Sequence, residues 1–170
     1  MSPRAAWRLE SLGFTQVYDY TDGKLDWMAA GLPTEGINAT RPRAGDVARR
    51  DVPTCGPTER LGEVRQRVSA AGWNVCVVVN DERVVFGMLR FDKLVDESDH
   101  PVEAVMAAGP STVRPYVSIE EMAQFMIEHD LATSPVTTSD GRLVGVLMVE
   151  DVARVAHEQH AHHPPDQGAP

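Results

Sequence analysis

The sequence predicts an α+β fold in which one β-α-β-β-α unit occurs twice. Three observations lead there: a gapless self-match at a fixed offset, helical spacing of apolar residues inside each copy, and β-branched runs paired across tight polar turns. A fixed period is the mark of a repeated supersecondary unit. Shifted by 58 residues, the chain matches itself over residues 47–94. Val47 falls on Val105, Thr54 on Thr112, Pro57 on Pro115, Glu63 on Glu121, Val78 on Val136, Gly87 on Gly145 and Leu89 on Leu147. Conservative pairs fill the gaps, such as Cys55 on Val113, Leu61 on Ile119 and Val64 on Met122.

Residues 1–36 have a different character. SPRAAWRLESLGF reads as a helix with Ser2 as N-cap, Pro3 in the first turn, an apolar side of Ala6, Leu9 and Leu12, and Gly13 as its stop. QVYDY reads as a short strand, and GKLDWMAAGL as a second helix. Residues 37–43 form a linker, residues 44–98 the first copy and residues 99–156 the second.

Each copy opens on an extended piece, VPTC and then STVR, followed by a polar turn with proline. The helices LGEVRQRVSAAG and IEEMAQFMIEHD come next. Leu61, Val64 and Val68, and likewise Ile119, Met122, Phe125 and Met126, recur at the spacing of one buried face. Ser118 with Glu121 three residues on predicts a capping box. Two β-branched runs follow in each copy: NVCVVV with RVVFGMLR, and TSPVTT with RLVGVLMV. They are joined by NDE and SDG, which read as hairpin turns. A short helix closes each copy, starting near Phe91 and near Val149. Neither long helix buries its stripe alone, so each is expected on its own hairpin, with the two units burying one another.

Composition narrows the function. Sixteen basic against 25 acidic residues leave a net charge of −9. That argues against nucleic acid and anionic membrane surfaces as partners, because phosphate contacts need a basic face. No apolar run approaches the roughly 18 residues of a membrane span, and the N-terminus lacks a signal-like apolar stretch. Two cysteines, Cys55 and Cys76, without CxxC spacing suit a reducing compartment. The expected location is cytoplasmic. Both cysteines are expected as small buried apolar groups, and Trp73 as core between helix and strand. His157 and His160 stand at helical spacing in the tail HEQHAHHPPDQGAP, but no acidic or Cys cluster completes a metal set. Residues 157–170 therefore read as a disordered His/Pro tail.

The unit order and its endings resemble the CBS domain, a family that pairs two repeats about a pseudo-twofold axis. The endings are Gly145-Val146-Leu147-Met148-Val149-Glu150-Asp151 and, more loosely, Gly87-Met88-Leu89-Arg90-Phe91-Asp92-Lys93. The resemblance covers about two-thirds of the chain. It implies a regulatory module, not an enzyme, whose two clefts hold an adenosyl compound such as AMP, ATP or S-adenosylmethionine, with no cofactor in the catalytic sense. It also implies a homodimer formed through the repeat helices. The end-of-repeat Ser/Thr and Asp of the family hold ribose and phosphate. Here the second copy keeps Asp151 but has Met148 where the hydroxyl belongs, and the first has Arg90 and Lys93. The expected nucleotide cleft is therefore Asp151 and Met148 with Val52, Pro53, Thr54, Val75, Cys76 and Val77. The second cleft, Arg90, Lys93, Thr112, Ser134 and Pro135, suits phosphate or stays empty. A ligand-free assembly module is the alternative, and Asp151 has a plain structural role available in the first turn of a helix.

GFTQVYDYTDG and WMAAGLPTEG resemble the C-terminal tail of a rhodanese domain. That implies a remnant over residues 1–36, packed weakly on the repeats. Rhodanese chemistry needs a cysteine thiolate in an amide-lined loop, and that loop would precede SPRAAW. No sulfurtransferase activity is expected of this chain. A longer protein with its catalytic half upstream is a further alternative.

Overall fold

Why the chain folds as a doubled unit is visible in its strand registers. The structure, a computed structural model, describes residues 2–18, 20, 23–30, 32–36, 41–92, 94 and 100–162. In the first copy, a short helix α3 (Ala44–Val47) leads to β1 (Thr54–Cys55), α4 (Leu61–Ala70), β2 (Val75–Val79) and β3 (Val85–Arg90). In the second, a 3₁₀ turn (Val102–Ala104) and β4 (Ala107–Ala108) precede α5 (Ile119–Glu128), β5 (Thr133–Thr137), β6 (Leu143–Met148) and α6 (Val149–His162). Added to the bounds of α4, β2 and β3, the offset of 58 lands on those of α5, β5 and β6 residue for residue.

The hairpins repeat to the same detail. Val75 faces Arg90 and Val77 faces Met88; Thr133 faces Met148 and Pro135 faces Val146. Both hairpins shift register at matching places, after Val78 and after Val136. Their turns also correspond, with Arg83 at φ 64° and Gly141 at φ 86°. Asn80 Oδ1 accepts from the Glu82 and Val84 amides at 3.1 and 2.8 Å, which holds the first turn in place.

The first sheet runs β1-β2-β3-β4, with β1 parallel to β2 and the others antiparallel. Its fourth strand comes from the second copy. The second sheet mirrors it: Val113 bridges Val136 in parallel, β5 pairs β6, and Arg49, from the first copy, bridges Val146. The hairpins meet at their turn ends, where Val84 bridges Arg142. There the Val85 amide donates to Gly141 O at 3.1 Å and the Leu143 amide to Arg83 O at 2.9 Å, an arrangement symmetric under the same offset.

Strand alternation divides the core in three. Leu61, Val64 and Val68 of α4 pack with Cys55, Cys76, Val78 and Leu89 on one side of the first sheet. Ile119, Met122 and Met126 of α5 pack with Val136, Leu147 and, from α6, Val152 and Ala156. Between the sheets lie Val52, Val75, Val77, Val79, Met88, Leu143 and Val146. The predicted stripes are the buried faces except at Phe125, which sits at the edge of its stripe and stays 39% exposed, and Ser118 Oγ does accept from the Glu121 amide, at 3.2 Å. Both cysteines are free and buried, and Trp73 packs against two of the three clusters.

Three expectations need correction. QVYDY forms no strand among its described residues, 16–18 and 20; with no neighbouring strand among the described residues, its amides and carbonyls have no ladder there to join. The tail boundary at residue 156 is six residues early, because α6 continues to His162. Arg154 pairs with Glu158 one turn on, at 3.6 Å, and no proline intervenes before Pro164. The closing helix near Phe91 is described only as a turn at Phe91 and Asp92, with the Leu94 amide donating to Arg90 O at 3.1 Å. Lys93 and residues 95–99 lie outside the described residues, as do residues 163–170. The two N-terminal helices form, α1 as Ser2–Ser11 and α2 as Gly23–Ala29. Tyr20 sits edge-on to Trp27 at 5.3 Å, and Trp27 Nε1 donates to Pro33 O at 2.8 Å. Trp7, Leu12 and Phe14 stay exposed. Among the described residues no helix is long and apolar enough to cross a membrane.

Candidate functional site

The two sheets face one another through their alternate residues, and the two ends of that layer, related by the offset, are where the expected clefts fall. The first cleft lies where the end of β6 meets the start of β2. Met148 and Trp73 are partly buried there against the cluster that holds Val52, Val75 and Val77. Pro53 O accepts from the Val77 amide at 3.0 Å, which fixes the chain entering β1. Thr54 is half-buried, and its carbonyl accepts from Arg67 at 3.3 Å. Cys76 does not join them. It is fully buried on the opposite face of β2, beside Cys55 and under α4, because neighbours along a strand point to opposite sides. The Cys55 thiol beside it, and then burial, hold the Cys76 thiol far above the usual range. That is the setting of an inert core cysteine.

Asp151, in the first turn of α6, is already engaged. Arg49 Nε donates to its Oδ2 at 2.6 Å, and Arg154 reaches its Oδ1 at 3.2 Å. Arg49 itself is held by two backbone hydrogen bonds with Val146, 2.9 and 3.0 Å, and its guanidinium lies 5.7 Å from the centre of the Trp73 ring. The Arg49 hydrogen bond is the main reason the Asp151 carboxyl lies below the usual range. The same contact raises Arg49. Each carboxylate oxygen thus already accepts one charge-assisted hydrogen bond, so a ribose hydroxyl would have to share it with a guanidinium group.

The second expected cleft is the offset equivalent of the first, at the end of β3 and the start of β5. The offset places Arg90 on Met148 and Thr133 on Val75. Thr133 is 4% exposed, and its hydroxyl has no hydrogen-bond partner among the described residues; the same holds for the buried Arg90 Nε. Pro135, the equivalent of Val77, shares the face of Thr133. Thr112 and Ser134 do not. They line a cavity of about 300 Å³ on the other side of the second sheet, with Val113, Val117, Met122 and Phe125. Here too alternation decides: Ser134 points with Val136 toward α5. Lys93 lies outside the described residues. Thr133 was absent from the expected set. The signal for it was present, because the same offset carries Val75, already assigned to the first cleft, onto it.

The CBS domain model matches residues 44–100 and 102–158. The chain belongs to the CBS domain family. Its two copies are therefore a CBS pair, and CBS pairs are in general regulatory modules. The match leaves residues 1–43 outside, and nothing in it supports the rhodanese-like reading of residues 1–36. An uncharacterized protein of Methanopyrus kandleri is 27% identical over 119 residues, covering 65% of this chain and 61% of its own length. Among solved structures, the cytosolic domain of the Mg2+ channel MgtE in complex with ATP superposes with a TM-score of 0.62 at 25% identity. That match covers 67% of this chain and 48% of the other. CBSX2 of Arabidopsis thaliana, solved in complex with AMP, has the same fold at a TM-score of 0.61 and 20% identity, with 69% of this chain and 98% of the other covered. The chain thus spans under two-thirds of the Methanopyrus relative and about half of the MgtE domain.

Proposed function

We propose that this CBS pair is a regulatory sensor of an adenine nucleotide, and that the second cleft, not the first, takes the phosphate chain. The observation that carries the reading is the pair of orphaned groups there, Arg90 Nε and Thr133 Oγ1. A buried donor without a partner costs about 1–3 kcal/mol, a cost that a phosphate oxygen accepting from both would remove. The cationic Arg90 suits a polyphosphate, and the similar MgtE domain was solved with ATP. In the first cleft the ribose-type carboxylate of Asp151 is taken up by Arg49 and Arg154, and Met148 supplies no hydroxyl.

Calorimetric titration of the full chain with ATP, AMP and S-adenosylmethionine tests this. ATP is expected to bind more tightly than AMP, and Arg90→Met to weaken ATP at least tenfold while leaving the fold intact, since Met stands at the equivalent place in the second repeat. Unchanged ATP affinity in Arg90→Met would refute the cleft assignment. Silence from all three ligands would favour the second reading, an assembly module. That reading draws on the engaged Asp151 and on Phe125 and Ile127, which α5 leaves 39% and 72% exposed. Its mark would be a dimer in sedimentation with no nucleotide effect.

A further inference from the structure

The cavity beneath α5 is separate from both clefts, and the other repeat shows what opens it. In the first repeat the equivalent mouth is strapped by charge. Arg67 donates to Glu59 at 2.8 Å and to Thr54 O at 3.3 Å, and Glu59 accepts from the Gly56 amide at 2.6 Å. The strap thus ties α4 to the end of β1 and to the turn after it. The offset of 58 carries Arg67 onto Phe125, Glu59 onto Val117 and Cys76 onto Ser134. Neither Phe125 nor Val117 can form a strap, and about 300 Å³ stays open between α5 and the edge of the second sheet.

We propose that this cavity is a second ligand site and that it takes a compact aromatic amine. Its volume, about 300 Å³, is at the small end of ligand pockets and suits a one- or two-ring body. Val113, Val117, Met122 and Phe125 provide apolar walls, and Thr112 and Ser134 provide hydroxyls. Glu121 is the one ionisable group among the lining residues, and its carboxylate makes no ion pair among the described residues. A cavity with an anionic rim and no lining cation repels phosphates and carboxylates and favours an ammonium group over a neutral head. The site is independent of the nucleotide reading, because it shares neither Arg90 nor Thr133.

Ligand-observed NMR on the full chain with tryptamine, indole and indole-3-acetate tests the assignment. The expected order is tryptamine, then indole, then indole-3-acetate. Glu121→Gln is expected to bring tryptamine down to the affinity of indole, a loss of several-fold, with indole itself unchanged. The double variant Val117→Glu with Phe125→Arg rebuilds the strap of the first repeat and is expected to abolish binding of both. Absence of tryptamine binding at millimolar concentration, equal binding of tryptamine and indole-3-acetate, or wild-type affinity in Glu121→Gln would each overturn the proposal. So would a strapped variant that binds tryptamine normally, or one that changes only the oligomeric mass; the latter would assign the cavity to a second copy of the chain. Should the strapped variant fail to fold, Glu121→Gln alone still decides the matter, and ATP titration separates this outcome from failure of the nucleotide reading.

Discussion

Gly145→Ala is the substitution most directly exposed to refutation. A Cβ at Gly145 would stand 2.6 Å from Arg49 O and 3.1 Å from Ala48 Cβ. The first of these is a backbone atom, held in the two-hydrogen-bond bridge between Arg49 and Val146. It has little room to move without breaking that bridge. Overpacking costs about 1–3 kcal/mol, and a lost backbone hydrogen bond adds about 0.5–1.5 kcal/mol. The expected destabilisation is therefore about 1.5–4.5 kcal/mol. The pseudo-equivalent Gly87→Ala is the internal control. There the nearest atom is Met106 Sδ at 2.6 Å, the far end of a flexible side chain, with Ala107 O at 3.0 Å. It is expected to cost about 1–2 kcal/mol, at the lower end of overpacking effects. Urea denaturation at fixed pH reads both, with the midpoint falling and the slope unchanged. A Gly145→Ala variant within about 0.5 kcal/mol of the parent, where ordinary surface changes lie, or one more stable than Gly87→Ala, would show that the close crossing at Arg49 is not what requires glycine.

Thr133→Val removes an orphaned buried hydroxyl and installs the residue found at its twin, Val75. It is expected to raise ligand-free stability by about 1 kcal/mol in urea denaturation; a loss would mean that the hydroxyl has a partner. Arg83→Gly relieves a left-handed φ of 64° and matches Gly141. A gain of about 0.5–1 kcal/mol is expected, seen as a higher melting temperature. Asp151→Asn tests the engaged carboxylate by its pH dependence. Because the folded pKa of Asp151 is depressed by Arg49, the pair stabilises the fold at any pH above the ordinary aspartate value of about 3.9 and loses that contribution as pH falls through the folded value. The gap between parent and variant is thus expected at pH 7, at under about 1 kcal/mol because Arg49 is half exposed, and should close below about pH 4. A gap that widened in acid would contradict this.

The repeat was legible because two kinds of pattern survive in one sequence: the offset and the apolar periods. Leu61, Val64 and Val68 announce a buried face whatever lies opposite, and their twins repeat it. The clefts were less legible because they depend on which face of a strand a residue occupies. Naming Cys76 with Val75 and Val77, or Ser134 with Pro135, takes a run of neighbours where the pleat takes alternate residues. Arg49 was missed for a different reason. It lies 102 residues from Asp151 and in the opposite repeat, so no local pattern connects them. QVYDY carries strand-like residues, but a strand is a property of a pair, and propensity alone supplies no neighbour.

The crossed ownership of the outer strands has a consequence for how the molecule comes apart. Ala107–Ala108 completes the sheet of the first half, and the stretch at Arg49 completes that of the second. Neither half is self-sufficient: severed from the other, each would bare a raw β-edge and half of the buried layer between the sheets. The two halves are thus interlocked like a dimer fused into one polypeptide, and they should melt as a single cooperative body. Expressed as separate chains, they would be expected to find one another and recombine, not to persist apart.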